Sequence, residues 1–299
     1  MSSLPVERAF VSEPERPDPG RSARPLVSGR LELEFAADAE ARSYLRRQYA
    51  SYPFHVCRAQ FQDRDLPGLP TLYIQSCAGG VYEDDRLELA LAMREKAEAH
   101  VSTQSATIVH SMPKGTATQG MRIHCDRGAY LEFLPDPQIL FPGSRYQSIT
   151  RIRLGEAATC VVSDAFLRHD PEGRGEMFSA YSSEIAIENA SGETMAIDRL
   201  KIDGTSRASC PGILGAYEAQ GTLVVAGTDR LPGGLRDELQ KVRFDRREAA
   251  IGFTQLPKSA GVLVRILAAD GAALRRVMHA TWCAARLVLK GSLPLERRK

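Results

Sequence analysis

Oxygen-bearing side chains are the residues of this sequence best suited to chemistry. Glu83, Asp84 and Asp85 place three carboxylates in a short connection, where their repulsion is unfavourable unless a cation or a basic partner relieves it. Thr103 and Gln104 end an alternating segment and offer hydroxyl and amide oxygens. The triplet therefore indicates a cation or a basic partner, although a tight turn would explain it as well. Thr103 and Gln104 by themselves suit an edge strand with its polar groups in solvent.

Two glutamates outside these segments are further candidates. Glu132 lies among apolar neighbours in residues 130–135. If that strand is buried, the carboxylate needs a hydrogen-bonded partner or a metal; a solvated glutamate on an outer face is the alternative. Glu176 follows Gly173, Arg174 and Gly175, a pattern that also suits a simple turn between strands.

The sequence contains no motif that identifies an enzyme. It has no phosphate-binding Gly-x-x-x-x-Gly-Lys-Ser/Thr loop, no His-Glu-x-x-His and no Gly-x-Ser-x-Gly. A catalytic β-domain, with Asp85, Glu132 and His124 as its site, stays open as an alternative, because catalytic groups are recognised by geometry rather than by order. A structural interaction protein that carries no metal is the third possibility.

Composition limits the partners. The chain has 299 residues, 43% of them hydrophobic, and 39 basic against 37 acidic residues, for a net charge of +2. No basic block is dense enough for a nucleic-acid partner. The six cysteines form no Cys-x-x-Cys pair, which predicts reduced thiols in a cytoplasmic protein. No apolar segment of export or membrane-spanning type is present.

The elements that must position these residues are mostly strands. Short runs of period-two alternation with Gly, Pro and Asp punctuation recur from residue 31 to residue 225 and predict β-structure with one buried face. Residues 1–29 carry five prolines among charges and are expected to be a disordered arm. Without an internal composition shift, residues 30–299 are expected to form a single β-rich domain.

Three segments are predicted to be helical. Residues 270–290 carry an apolar stripe that includes Met278 and Trp282, with Asp270 as N-cap and Gly291 as the stop signal. That stripe must be covered by the protein's own sheet or by a partner, so Trp282 and Met278 are the predicted partner-binding residues. Residues 38–49, rich in Ala, Arg and Leu, and the charged residues 235–247 are weaker helix candidates.

Several spaced motifs resemble one known family, the urease accessory protein UreD (UreH). The resemblance is strongest over residues 72–146 and rests on these residues: Gly79 and Gly80; Asp85, Arg86 and Leu87; Thr103, Gln104, Ser105, Ala106 and Thr107; Gly128 and Ala129; Leu131, Glu132, Phe133, Leu134 and Pro135; Ile139, Phe141, Gly143 and Tyr146. It implies layered or β-helix-like coiled sheets with a few peripheral helices, including one at the C-terminus. Asp84 stands where the family usually has glycine.

The resemblance also implies a function. It predicts a non-catalytic scaffold that binds the urease structural subunits, a UreF-like adaptor and a UreG-like GTPase, and that helps conduct nickel into urease. The resemblance implies no tightly bound cofactor and only transient binding of nickel(II). The residues implied for the nickel passage are Asp85, Thr103, Gln104, Glu132 and Glu176.

Overall fold

Two facing β-sheets form the body of the protein in a computed structural model, which describes residues 28–204, 210, 212–229 and 231–295. The first nine strands are β1 (Ser28–Ala37), β2 (Ser43–Ala50), β3 (Phe54–Val56), β4 (Thr71–Ser76), β5 (Arg86–Met93), β6 (Glu98–Thr103), β7 (Thr107–Val109), β8 (Ala117–Cys125) and β9 (Tyr130–Phe133). They are followed by β10 (Gln138–Leu140), β11 (Arg145–Leu154), β12 (Thr159–Arg168), β13 (Ala180–Asn189), β14 (Thr194–Asp203), β15 (Ala219–Gly227), α1 (Leu235–Gln240), β16 (Ala249–Gln255), β17 (Gly261–Ala268) and α2 (Gly271–Lys290). The predicted β-rich class is confirmed.

The chain passes back and forth between the two sheets. Sheet A has the order β14-β13-β11-β8-β5-β1-β2, and sheet B has the order β16-β17-β15-β12-β9-β6-β4-β3, with β10 and β7 attached beside β12. From β4 to β13 the chain passes repeatedly between sheet B and sheet A, and successive coils pair in parallel: β4 with β6, β6 with β9 and β9 with β12 in sheet B, and β5 with β8, β8 with β11 and β11 with β13 in sheet A. The result is a β-solenoid of stacked coils, as the resemblance implied.

Apolar side chains at matching positions of successive coils fill the space between the sheets. Leu33 of β1 is in register with Leu91 of β5, which is followed along the sheet by Ile123, Ile152 and Ile187. All five side chains are buried in one core cluster. Since side chains alternate along a strand, their neighbours point to the opposite face of sheet A.

That opposite face of sheet A is charged. Arg122 donates to Glu88 on the neighbouring strand at 3.0 Å, and Arg153 donates to Glu188 at 3.1 Å. A parallel sheet usually needs cover on both faces. Here charged side chains, rather than a layer of helices, occupy the outer positions of these strands, which accounts for the alternation of apolar and charged residues in the sequence.

Antiparallel strands close sheet A at both edges. β2 pairs antiparallel with β1, and the register of this pair shifts between Glu34 and Phe35 of β1. β14 pairs antiparallel with β13, and the register of this pair shifts between Ile187 and Glu188 of β13. Both outer pairs therefore reverse the strand direction of the coils and contain a bulge-like irregularity.

Helix α2 covers the outer face of sheet B. Its side chains Leu274, Val277 and Trp282 are buried in a second apolar cluster that includes the residues of β15 and β17 on this outer face. Asp270 caps the helix by accepting a hydrogen bond from the backbone of Ala273 at 2.7 Å, and Gly291 ends it with a left-handed φ of 72°. The predicted C-terminal helix is confirmed, including both of its ends.

The prediction of a helix over residues 38–49 is wrong. Asp38 accepts hydrogen bonds from the backbone of Glu40 and Arg42, and Ala41 has a φ of 60°, so the chain turns back at this point. The following residues form β2, which pairs with β1. Ladder hydrogen bonds to a neighbouring strand outweigh the moderate helix propensity of Ala, Arg and Leu here.

Two other sequence predictions concern a second helix and the N-terminal arm. The helix predicted over residues 235–247 is present only as α1, six residues long. The predicted arm, residues 1–29, lies outside the described residues except for Ser28 and Gly29, which begin β1. None of the six cysteines, all of which the structure describes, forms a disulfide bond. Among the described residues, no helix has the length and apolar character needed to cross a membrane.

Truncation of Trp282 tests whether α2 is part of the protein's own core. Trp282 is 5% exposed, so Trp282→Ala should lower the free energy of unfolding by about 3–5 kcal/mol. Leu287→Ala, on the same helix at 39% exposure, is the matched control and should have little effect. Denaturant unfolding of the two variants measures this, and equal effects would contradict the assignment of Trp282 to the core.

Candidate functional site

Backbone N–H groups donate hydrogen bonds to all three carboxylates of the acidic triplet. Glu83 accepts hydrogen bonds from the backbone of Lys114 at 2.7 Å and Gly115 at 2.5 Å. Asp85 is buried at 3% exposure and accepts from the backbone of Tyr82 at 2.9 Å. These contacts connect the turn before β5 to the loop before β8. The predicted relief of this charge by a cation or a basic partner, and the metal role of Asp85, stay predictions.

Asp84 preserves the backbone shape that glycine would give. Its φ is 61°, in the left-handed region that Asp tolerates better than most residues, and its carboxylate accepts from the backbone of Thr116 at 3.2 Å. Earlier in the same connection Gly80 has a φ of 134°, and a Cβ there would lie 2.6 Å from the carbonyl oxygen of Ile108. The turn thus keeps a glycine-type geometry despite the substitution at position 84.

Thr103 and Gln104 take part in separate contacts at the end of β6. The backbone of Asp136 donates to Thr103 Oγ1 at 2.8 Å. Gln104 is exposed and accepts from the side chain of Gln75 at 2.6 Å, and Gln75 in turn contacts His55 Nδ1 at 2.8 Å. The two neighbours therefore belong to different groups: Thr103 fixes the connection after β9, and Gln104 ends a row of polar side chains at the edge of sheet B.

Glu132 is held in a buried network of charged and polar groups. Its side chain is fully buried and accepts two hydrogen bonds from Arg286, from Nε at 2.8 Å and from the second terminal nitrogen at 2.6 Å. His100 Nδ1 contacts it at 2.7 Å, and the hydroxyl of Tyr130 donates at 2.6 Å. Arg286 also pairs with Asp63. The sequence predicted that Glu132 needs a partner, and Arg286 on α2 is that partner.

The electrostatics of this network favour the charged forms. Burial by itself would raise the pKa of Glu132, but the hydrogen bonds from Arg286 and His100 outweigh it, and the pKa is held well below its usual range. A carboxylate so firmly paired with a guanidinium is a counter-ion. The metal role predicted for Glu132 stays a prediction, and its position beneath α2 separates it from the space between the sheets.

The two predicted partner-binding residues contact the protein's own sheet. Trp282 stacks on His100 of β6 with ring centroids 5.0 Å apart. Met278 packs over Gly221 of β15, where a Cβ would lie 2.7 Å from the methionine sulfur. Sheet B therefore covers the apolar stripe of α2. A partner contact by Trp282 and Met278 stays a prediction, and Trp282 offers almost none of its surface for it.

Glu176 lies on the surface, in the loop between β12 and β13. Its backbone donates to Asp170 at 3.1 Å, and the turn contains Gly173 and Gly175 with positive φ. The loop borders a cavity of about 230 Å³, which is lined by Arg168, His169, Asp170, Gly175, Glu176 and Glu218. Glu176 thus contributes to a charged surface pocket, away from the other four predicted residues.

The predicted residues do not form one centre. Asp85 precedes β5, Glu132 lies beneath α2, and His124 points outward from sheet A, where it contacts Asp126 at 2.9 Å. The catalytic site considered as an alternative is therefore not assembled. Within the described ranges, no group of three or more His, Cys, Asp or Glu residues is arranged to hold a metal ion.

A polar cluster between the sheets was missed by sequence reasoning. Asp164 of β12 is at an inward position, as are Cys160 and Phe166 of the same strand. Its carboxylate accepts hydrogen bonds from the hydroxyl of Tyr181 at 2.7 Å and from Ser183. Burial raises the pKa of Asp164, and these hydrogen bonds only partly oppose that shift. A carboxylate at an inward position of an apolar strand is the sequence signal that could have identified it.

The polar interior continues towards the C-terminal strands. Arg265 of β17 crosses the space between the sheets to pair with Asp198 of β14 at 2.7 Å, and it also donates to Thr222 at 3.0 Å. The hydroxyl of the buried Tyr146 has no hydrogen-bond partner among the residues that the structure describes. The interior is therefore apolar in the early coils and polar around β12 to β17.

The pH dependence of stability tests the Glu132 network. A carboxylate whose pKa is lower in the folded state stabilises the fold above its unfolded pKa, about 4.5, and this stabilisation is lost as the pH falls through the folded value. The free energy of unfolding should therefore decrease below about pH 4.5. Glu132→Gln should be less stable at pH 7 by about 3–5 kcal/mol, because Arg286 loses its main partner.

The free energy of unfolding of Glu132→Gln should also decrease less than that of the wild type as the pH falls. Denaturant unfolding from pH 3 to pH 7 measures this. Glu156→Gln, an exposed carboxylate in the turn after β11, is the control and should follow the wild type. Parallel curves for wild type and Glu132→Gln would show that the pair does not carry this dependence.

Comparison with known proteins agrees with the family resemblance that the spaced motifs carry. Residues 27–299 match the family model described as UreD urease accessory protein. A relative named urease accessory protein UreD 1 from Pseudomonas syringae pv. tomato is 36% identical over 89% of this chain and 94% of its own length. Another with that name, from Methylorubrum extorquens, is 34% identical over 96% of this chain and 97% of its own length.

The similarity extends to an archaeal protein. A urease accessory protein UreD from Haloarcula marismortui is 34% identical over 89% of this chain and 88% of its own length. The family match over residues 27–299 covers both the coils and helix α2. The chain belongs to the UreD urease accessory protein family.

Proposed function

We propose that this protein acts in the maturation of urease, as a scaffold without catalytic activity of its own. Its relatives are named as urease accessory proteins, and the alternative catalytic residues Asp85, Glu132 and His124 lie in separate parts of the fold: before β5, beneath α2 and on the outer face of sheet A. The scaffold would bind the urease structural subunits, a UreF-like adaptor and a UreG-like GTPase. The GTPase would supply the nucleotide chemistry, for which this chain has no phosphate-binding loop.

We further propose that the polar interior takes part in moving nickel(II). The observation that carries this proposal is the inward-facing carboxylate of Asp164 with the hydroxyls of Tyr181 and Ser183 around it. Oxygen donors bind a borderline metal ion weakly enough to release it. The nearby hydroxyl of Tyr146, buried and without a partner among the described residues, is a group for which water or a passing hydrated ion would be a suitable partner.

The nickel contacts implied by family resemblance stay part of this proposal. Thr103 and Gln104 are at the end of β6, Asp85 is in the turn before β5, and Glu176 borders the charged surface pocket. The side chains of Asp85, Thr103 and Gln104 make hydrogen bonds within the protein, so nickel would have to compete with those contacts. Asp164 is therefore the sharper test of a passage through the interior.

Asp164→Asn separates a metal role from a structural one. The fold disfavours the charged form of Asp164, because burial raises its pKa, so the neutral amide should leave folding and partner binding intact. Pull-down of the adaptor and apo-urease should be unchanged, whereas the nickel content of urease matured with the variant should fall several-fold. Metal analysis of the purified urease measures this.

The outcomes distinguish the alternatives. Glu156→Gln, an exposed carboxylate change, is the matched control and should give fully loaded urease. Normal nickel loading with Asp164→Asn would refute the passage but leave the scaffold. A tagged wild-type protein that repeatedly recovers neither urease nor the adaptor would refute the scaffold itself.

A further inference from the structure

Helix α2 carries a histidine and a cysteine that face each other on its outer surface. His279 and Cys283 are four residues apart, which brings their side chains to the same side of the helix, one turn from each other. His279 Nε2 lies 3.4 Å from Cys283 Sγ. His279 is exposed and Cys283 is half-buried, so a solute can reach the pair.

The separation of these two atoms suits one metal ion. Zinc is bound by thiolate at about 2.3 Å and by imidazole at about 2.0–2.1 Å, so two such ligands at a tetrahedral angle lie about 3.5 Å apart. The observed 3.4 Å is close to that value.

The surroundings of the pair hold its geometry. The ring of His279 packs edge-on against Trp282, with centroids 5.5 Å apart, and Trp282 stacks in turn on the buried His100. Helix α2 is itself fixed to sheet B through Arg286 and Glu132. A pair of donors presented by a rigid helix loses less entropy on binding than the same pair in a mobile loop.

We propose that His279 and Cys283 bind a borderline or soft transition-metal ion, such as Zn(II), Ni(II) or Co(II), as a two-ligand surface site. Cys283 binds as thiolate and releases its proton to solvent, and His279 binds through the unprotonated Nε2. Among the described residues no third His, Cys, Asp or Glu completes the site, so water or a donor from outside this chain occupies the remaining positions. Such a site exchanges metal readily, and it is separate from the polar interior around Asp164.

Cobalt titration of the purified full chain tests the site without any partner. Co(II) bound to a thiolate gives a charge-transfer band in the near ultraviolet, which should saturate at one equivalent with the wild type. Cys283→Ser should abolish the band, and His279→Ala should raise the dissociation constant at least about tenfold, since one of two ligands is lost. Cys77→Ser removes another exposed thiol and should change nothing.

Several outcomes would overturn the proposal. They are the absence of a band with the wild type at millimolar cobalt, a band that survives in Cys283→Ser, and a band that is lost in Cys77→Ser. An unchanged dissociation constant in His279→Ala would equally show that the pair is only a thiol–imidazole contact on a helix surface. Nickel loading of urease plays no part in the measurement, so its result is independent of the proposed passage.

Discussion

The parallel, in-register stacking of coils is the constraint on which the rest of the structure depends. Each inward apolar residue of sheet A lies beside the equivalent residue of the next coil, as in the series from Leu33 to Ile187. A shift of one residue would turn that apolar series outward and the charged series inward. Register therefore fixes at once which face of each strand is core, which is charged and where the turns must lie. The satisfied acidic turn at residues 83–85 and the positive φ of Gly80 follow from this requirement.

Attachment of α2 adds a second layer through a different kind of interaction. Apolar packing supplies most of the favourable free energy, whereas Arg286 and Glu132 form a pair that must be desolvated and whose net contribution is small. Their bidentate geometry, shared with Asp63, nevertheless determines where the helix sits. The same helix presents His279 and Cys283 outward, so the buried network also orients the outer surface of α2.

The sequence was informative wherever a local pattern determined the outcome. Period-two alternation predicted the strands, and the spacing of Asp270, the apolar stripe and Gly291 predicted α2 together with both of its ends. Residues 38–49 were misassigned because helix propensity depends only on local sequence, whereas β2 forms through its pairing with β1. The pairing of Glu132 with Arg286, 154 residues away along the chain, is likewise decided by tertiary packing. Asp164 could have been noticed from its inward position, but its hydroxyl partners lie on another strand.

The reversed strands at the edges of sheet A also determine how the molecule behaves towards its own copies. An exposed parallel edge would offer a template for a further coil from a second chain and for growth into a fibre. β2 and β14 run against the direction of the coils, and β2 carries the exposed side chains of Tyr44, Arg46, Arg47 and Tyr49. Positive charge and an irregular register discourage addition at such an edge. An antiparallel strand interrupts the parallel stacking at each edge of sheet A, which disfavours the addition of a further coil there.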